Sequence, residues 1–214
     1  MTSQPPSASI APTVVLRAEA TPSAPALRLR PWQDDDVESL IEAFRDPVLR
    51  RWTRVPLENV DDAHRWLALQ RAGWQNRQRI SFAVLADDPG GDPDQGLENG
   101  PGRLLGNVVL KSLDPAVGSA EVGYWTAAPA RGRGVAPRAL EALTGWAFDT
   151  FGPEGLDRLA LLHQVDNTAS CRVAEKTGYR FDRIMSARPP FPRDGHLHLR
   201  RILPAQRSGA GPIQ

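Results

Sequence analysis

The sequence is short of several things, and each shortage closes off a class of protein. It has one cysteine, Cys171, among 214 residues. No disulfide can form within the chain, and a reducing, cytoplasmic setting is expected. No apolar run approaches the roughly 18 residues of a membrane span. The first residues also lack the basic start and apolar stretch of a secretory signal, so no membrane partner is expected. The formal net charge is only +1. A general polyanion binder shows a basic excess or stripe, so nucleic acid is not an expected partner either. No internal repeat is visible. What is present is an ordinary globular balance, 41% hydrophobic and 24% charged, which suits a single domain with a sizeable core.

The chain divides by composition. Residues 1–26 are rich in Pro, Ser, Ala and Thr and read as a disordered tail. Residues 27–203 read as one domain, and 204–214 as a second tail. Within the domain, 27–32 is a first strand. Asp34 to Asp36 then supply a cap and favourable first-turn charge for a helix whose apolar face is Val37, Leu40, Ile41 and Phe44. A second helix spans 62–74, with Ala63, Trp66, Leu67, Gln70 and Trp74 turned inward. Residues 80–86 form a strand, and 87–102 a long loop, read as a hairpin tip rather than a flap. Two strands at 103–114 and 119–127 follow as antiparallel neighbours. A helix at 135–150, a near-continuous apolar strand at 158–165, a helix at 167–178 and two last strands complete the order. Such an order predicts an α+β fold with a mixed sheet.

The most informative stretch is "ARGRGVAP", residues 130–137. Gly132 and Gly134 permit backbone conformations barred to other residues. The helix that follows points its N-terminal N–H groups and positive dipole end back at the loop. Pro137 sits in the first turn, where a missing N–H costs little. Arg131 and Arg133 add possible charge-assisted bonds. Together these read as a phosphate cradle, with a plain turn carrying solvated arginines as the alternative. A Walker loop would need Gly-Lys-Ser/Thr, which is absent. A Rossmann turn would need a third glycine and parallel strands.

The spacing Arg131-x-x-Gly134-x-Ala136 resembles the signature of the GCN5-related N-acetyltransferase (GNAT) superfamily. The segments "AEVGYWTAAPARGRGVAPRAL", "NTASCRVAEKTGYRFD" and "LRLRPWQDDDVESL" are similar to its RimJ/RimL-like branch. The likeness covers 27–203. One departure is that the family often has proline three residues before the loop arginine, where this chain has Ala128 followed by Pro129. The resemblance implies a mostly antiparallel sheet with splayed middle strands, here 121–127 and 159–165, flanked by helices. It implies acetyl-CoA as cosubstrate. Backbone groups of Trp125, Thr126 and Ala127 would meet the pantetheine arm, and Arg131, Gly132, Arg133, Gly134, Val135 and Ala136 the pyrophosphate, with Asn167 also reaching the cofactor. It implies direct acetyl transfer to a primary amine, either a protein N-terminus or a small molecule, by a monomer or homodimer. A non-catalytic CoA-sensing or scaffold module is the alternative from another class.

Such a transfer needs the amine neutral, the oxyanion stabilised and the thiolate protonated. The resemblance suggests Glu121 as base, acting through water, and Ser170 as acid. A salt-bridged strand glutamate and an ordinary helix-start serine are the bland readings. Cys171 has no sequence-adjacent activator and reads as a structural thiol. His163, in the central strand, is a weaker base candidate, and Tyr179 reads as core. His196 and His198 alternate on one strand and share a face. With no third ligand near them in sequence, no metal site is expected. Trp52 is a candidate lining residue of the acceptor groove, which the proline-rich loop 187–195 would close.

Overall fold

The computed structural model describes residues 14–22, 24–53, 55–87, 102–189 and 192–202. The period-2 and continuous apolar runs become eight strands: β1 (Leu16–Ala18), β2 (Ala26–Pro31), β3 (Arg79–Asp87), β4 (Leu104–Asp114), β5 (Ser119–Thr126), β6 (Arg158–Gln164), β7 (Arg180–Met185) and β8 (Gly195–Arg201). They form one sheet in the order β1-β2-β3-β4-β5-β6-β8-β7. Only the β5–β6 pair is parallel, so the mixed, mostly antiparallel sheet is as expected. The helices are α1 (Val37–Phe44), α2 (Pro47–Thr53), α3 (Val60–Gln75), α4 (Val135–Phe151) and α5 (Thr168–Lys176).

The sheet separates two apolar layers. On one face α4 sets Ala139, Leu140, Leu143, Ala147 and Phe148 in a cluster with Phe82, Val108, Val122 and Leu161, and Ala174 of α5 joins it. On the other face Leu40 and Phe44 of α1, Leu49 of α2, and Trp66 and Leu67 of α3 cluster with Trp32 and Ala83. β3 lies beneath both layers and is buried from Ile80 to Ala86, which is why its run is apolar on both faces. The turn into α1 is locked by a bidentate pair. Arg30 donates from Nη1 and Nη2 to Asp36 at 2.7 Å each, and Asp36 also accepts from the Gln33 N–H at 2.8 Å.

Two elements differ from the sequence reading. Part of the expected N-terminal tail is an edge strand, because Leu16 pairs with Leu29 and Ala18 with Leu27. Val14, Leu16 and Ala18 are packed against the core, and Arg138 of α4 holds the returning turn through the carbonyls of Ala18 at 3.2 Å and Pro25 at 2.9 Å. The second is α2, which has too few residues to show a helical period. Its cues are chemical: Asp46 accepts from the N–H groups of Val48 and Leu49 at 3.0 and 3.2 Å, and Pro47 occupies the first position. Most of the 87–102 loop, the residues before 14 and the 204–214 tail lie outside the described residues. No helix among the described residues is long and apolar enough to cross a membrane.

Candidate active site

β5 and β6 pair over only four positions, 119–122 against 158–161. Beyond these they part, although β5 stays paired with β4 as far as Thr126 and β6 with β8 as far as Gln164. The gap is flanked by residues 123–126 and 162–164. Alternation says which backbone groups face it. The Ala127 N–H donates to the Leu105 carbonyl of β4 at 2.9 Å, and successive strand residues turn their backbone groups to opposite sides. Trp125 and Ala127 therefore face β4, whereas Tyr124 and Thr126 face the gap. Of the expected trio of Trp125, Thr126 and Ala127, Thr126 is the one whose backbone groups face the gap. The Ala127 carbonyl is also committed, accepting from the Ala130 N–H at 2.9 Å, and the Trp125 ring packs on Phe44 and Trp32 at 5.6 and 6.0 Å.

The chain leaves β5 through a 3-10 turn, Ala128–Ala130, which carries Pro129, and enters α4 at Val135. Gly132 and Gly134 have φ of +74° and +71°, and Gly134 is the N-cap of α4. A Cβ on Gly132 would meet nothing within 4 Å, so conformation and not crowding requires glycine there. Among the described residues, none accepts a hydrogen bond from the N–H groups of Gly132, Arg133, Gly134, Val135 or Ala136. Five donors at a helix N-terminus beside open space fit a phosphate.

The two loop arginines do different things. Arg131 is ion-paired with Asp46 and donates from Nε to the Thr126 carbonyl at 3.3 Å. It ties the loop to the start of α2 instead of standing free for a phosphate. Burial pushes the Asp46 carboxyl up, but the bonds from Arg131, Val48 and Leu49 outweigh it and hold the group below its ordinary value. Arg133 is exposed and has no hydrogen bond or ion pair among the described residues. A cavity of about 1160 Å³ lies on the α1 side of this turn, between Glu42, Asp46, Leu104 and Pro129. It is behind the loop, away from the gap.

Glu121 and Ser170 belong to opposite faces of β5. Glu121 shares its alternation with Trp125, on the α1–α3 face. It is directly across from Lys111 and forms an ion pair with it at 2.7 Å, both side chains about a third exposed (31% and 34%). Ser170, on α5, is buried and accepts from the Tyr124 hydroxyl at 3.0 Å. Burial pushes the Tyr124 phenol up to about 12, against the opposing effect of that bond, so it remains a proton donor at neutral pH. Tyr124 was missed in the sequence reading. The available signal was its alternation with Val122, which turns it to the α5 side. Asn167 caps α5, its side-chain oxygen accepting from the Ser170 N–H at 3.2 Å, which leaves its Nδ2 for a ligand. Tyr179 is buried and hydrogen-bonded to Thr144 Oγ1 at 2.7 Å, as a core residue.

Trp52 is half-buried on α2 and outside both apolar clusters, with the Arg51 guanidinium 4.7 Å from its ring centroid. Asp166, in the β6–α5 turn, pairs with Arg51 at 2.9 Å and with Arg193 of the β7–β8 loop at 3.2 Å. These contacts bring α2 and the last hairpin to one edge of the gap. Residues 190 and 191 of that proline-rich loop lie outside the described residues. His196 and His198 are not isolated: His163 and Cys171 stand beside them.

The family model of the Acetyltransferase (GNAT) domain matches residues 26–180. The protein named "Putative ribosomal N-acetyltransferase YdaF" from Bacillus subtilis is 35% identical over 78 residues, which cover 36% of this chain and 41% of that protein's length. The fold is similar to that of Mycobacterium smegmatis RimJ in complex with a CoA disulfide, with a TM-score of 0.69, 22% identity, and coverage of 88% of this chain and 86% of the other. It is also similar to the microcin C7 self-immunity acetyltransferase MccE in complex with acetyl-CoA and AMP, with a TM-score of 0.68, 18% identity, and coverage of 85% and 98%.

Proposed function

The chain belongs to the GNAT acetyltransferase family, and from that premise we propose that it transfers acetyl from acetyl-CoA directly to a primary amine, the N-terminal amine of a protein or peptide. The observation that carries the cofactor assignment is the row of five N–H groups at 132–136 with no acceptor among the described residues, one short turn after the strand residues that flank the gap. The backbone of Tyr124 and the N–H of Thr126 fit the amides of an extended pantetheine arm as a missing strand would. The donors at 132–136 and Arg133, which has no partner among the described residues, fit the pyrophosphate, and Asn167, the N-cap of α5 just beyond β6, offers its Nδ2. The bound cosubstrate supplies the acetyl group as an activated thioester. The domain is residues 27–203, extended by β1.

The chain's own groups supply the proton transfers. Glu121, on the α1–α3 face, takes the amine's proton through water. Lys111, ion-paired with it, holds this carboxylate oriented until then. On the opposite face Ser170 Oγ gives a proton to the departing thiolate, and the Tyr124 hydroxyl bonded to it replaces that proton. No covalent enzyme intermediate is required. The name of the Bacillus subtilis relative, a putative ribosomal N-acetyltransferase, supports a protein acceptor. Asp166, by drawing Arg51 and Arg193 together at the groove edge, favours a small amine as the second reading.

The test is calorimetric titration with acetyl-CoA and desulfo-CoA. Thiol release is then measured with peptides of varied N-terminal residue against a panel of small amines. Turnover of peptides alone supports the reading, and turnover of small amines alone replaces the acceptor. Binding without turnover of any acceptor supports the sensing module instead. Glu121→Gln and Ser170→Ala should each slow transfer without changing acetyl-CoA affinity. Unaltered rates in both would remove the assigned roles.

A further inference from the structure

Three imidazoles and the single thiol converge under α5, on the side of β6 away from β5. His163 is directly across from His196 in the β6–β8 pairing, and His198 follows two residues later on the same face. Cys171, in the first turn and a half of α5, comes down over them. Ligand atoms of all four lie within 4.8 Å of one another. His163 Nε2 is 3.3 Å from His198 Nε2. Cys171 Sγ is 3.6 Å from His163 Nε2 and 3.4 Å from His196 Nδ1.

These distances have a simple interpretation. With Zn–N of about 2.05 Å and Zn–S of about 2.3 Å, a tetrahedral site has N···N edges of about 3.3 Å and N···S edges of about 3.6 Å. The three separations agree with such edges to about 0.2 Å. The surroundings agree too. His163 Nδ1 lies 2.9 Å from the Gln164 carbonyl. Donation there places the proton on Nδ1 and turns the Nε2 lone pair into the cluster, as the outer partner of a metal-bound histidine does. Phe181 walls the site, its ring centroid 5.3 Å from that of His196 and 5.7 Å from that of His198. One sulfur and three nitrogens gathered within 4.8 Å of one another suit Zn²⁺ over the oxygen-seeking cations.

We propose that His163, Cys171, His196 and His198 form a structural Zn²⁺ site that pins the start of α5 to β6 and β8. On binding, the Cys171 thiol gives its proton to solvent and the thiolate sulfur donates to the metal. The site shares no ligand with the acetyl-transfer groups, but Cys171 follows Ser170 and lies four residues after Asn167 in the chain. Zinc here therefore fixes the segment that carries both.

The experiment uses the full chain stripped with chelator and titrated with Co²⁺ as a spectroscopic probe, then with Zn²⁺. The expected result is one equivalent of Co²⁺ with tetrahedral ligand-field bands and a thiolate-to-cobalt charge-transfer band, all bleached by Zn²⁺. Metal content after purification from zinc-supplemented medium should be one Zn²⁺ per chain. Cys171→Ser should abolish the charge-transfer band. His196→Ala, at a half-buried position, should weaken Zn²⁺ binding by more than the roughly 100-fold that loss of a ligand's hydrogen-bond partner can cost. Both variants are checked for a cooperative thermal transition, and Zn²⁺ should raise the melting temperature of the unsubstituted chain alone. Absence of a tetrahedral Co²⁺ spectrum, or Zn²⁺ binding equal in the unsubstituted chain and both variants, overturns the proposal. Acetyl-CoA titration of the stripped protein reports the cofactor site independently.

Discussion

Gly132→Ala tests the cradle by thermodynamics. Gly132 sits at φ +74° with open space where a Cβ would go, so the substitution introduces no clash and changes only backbone preference. Holding an L-residue in the left-handed region costs about 1–2 kcal/mol, and that cost must appear somewhere. If the loop keeps its conformation, the folded state loses the full amount, and a chain of this length melts lower by about 2–4 °C per kcal/mol. If the loop relaxes, stability is spared and the N–H groups turn away. Binding must then restore them, and acetyl-CoA affinity falls by about 5- to 30-fold for the same 1–2 kcal/mol. Gly132→Asn should show a smaller total, because asparagine tolerates this region. Differential scanning calorimetry and isothermal titration on the same preparations measure both halves. A Gly132→Ala protein with unchanged melting temperature and unchanged affinity would refute the claim that this backbone conformation serves binding.

Arg133→Ala should weaken acetyl-CoA binding by about tenfold, the loss of one exposed charge-assisted bond. The effect should shrink as salt rises and leave the melting temperature unchanged, because Arg133 has no partner within the described protein; titrations at two ionic strengths check this. Tyr124→Phe should slow acetyl transfer, and in the unsubstituted enzyme no loss of rate below about pH 11 should trace to this phenol, because burial pushes it up to about 12. The linkage has the same sign. A phenol raised from 10 to about 12 adds stability that is complete below pH 10 and fades as the pH climbs toward 12. Chemical denaturation at pH 9 and 11 should therefore show a smaller drop in stability for Tyr124→Phe than for the unsubstituted chain.

How far the sequence was legible follows from the range of each signal. The apolar face of α1, the buried positions of α3 and the continuous run of β3 were readable because periodicity is local. The αL glycines and the helix start after them were readable for the same reason, since a loop and the cap it forms are neighbours in the chain. β1 was not, because a three-residue edge strand has no period of its own and is held by Arg138, more than a hundred positions away. The fate of the loop arginines also depended on distance: Arg131 and Arg133 look equivalent in "ARGRG", yet Asp46, 85 positions upstream, claims only the first. The histidines show the limit most plainly. The two-residue spacing of His196 and His198 put them on one face and stopped there. The third and fourth ligands come from β6 and α5 through strand pairing, and the register that sets His163 across from His196 is fixed by the whole β6–β8 ladder. A metal site assembled on one helix or one knuckle leaves a spacing to read, whereas one assembled across a sheet leaves only residue types, scattered until the fold collects them.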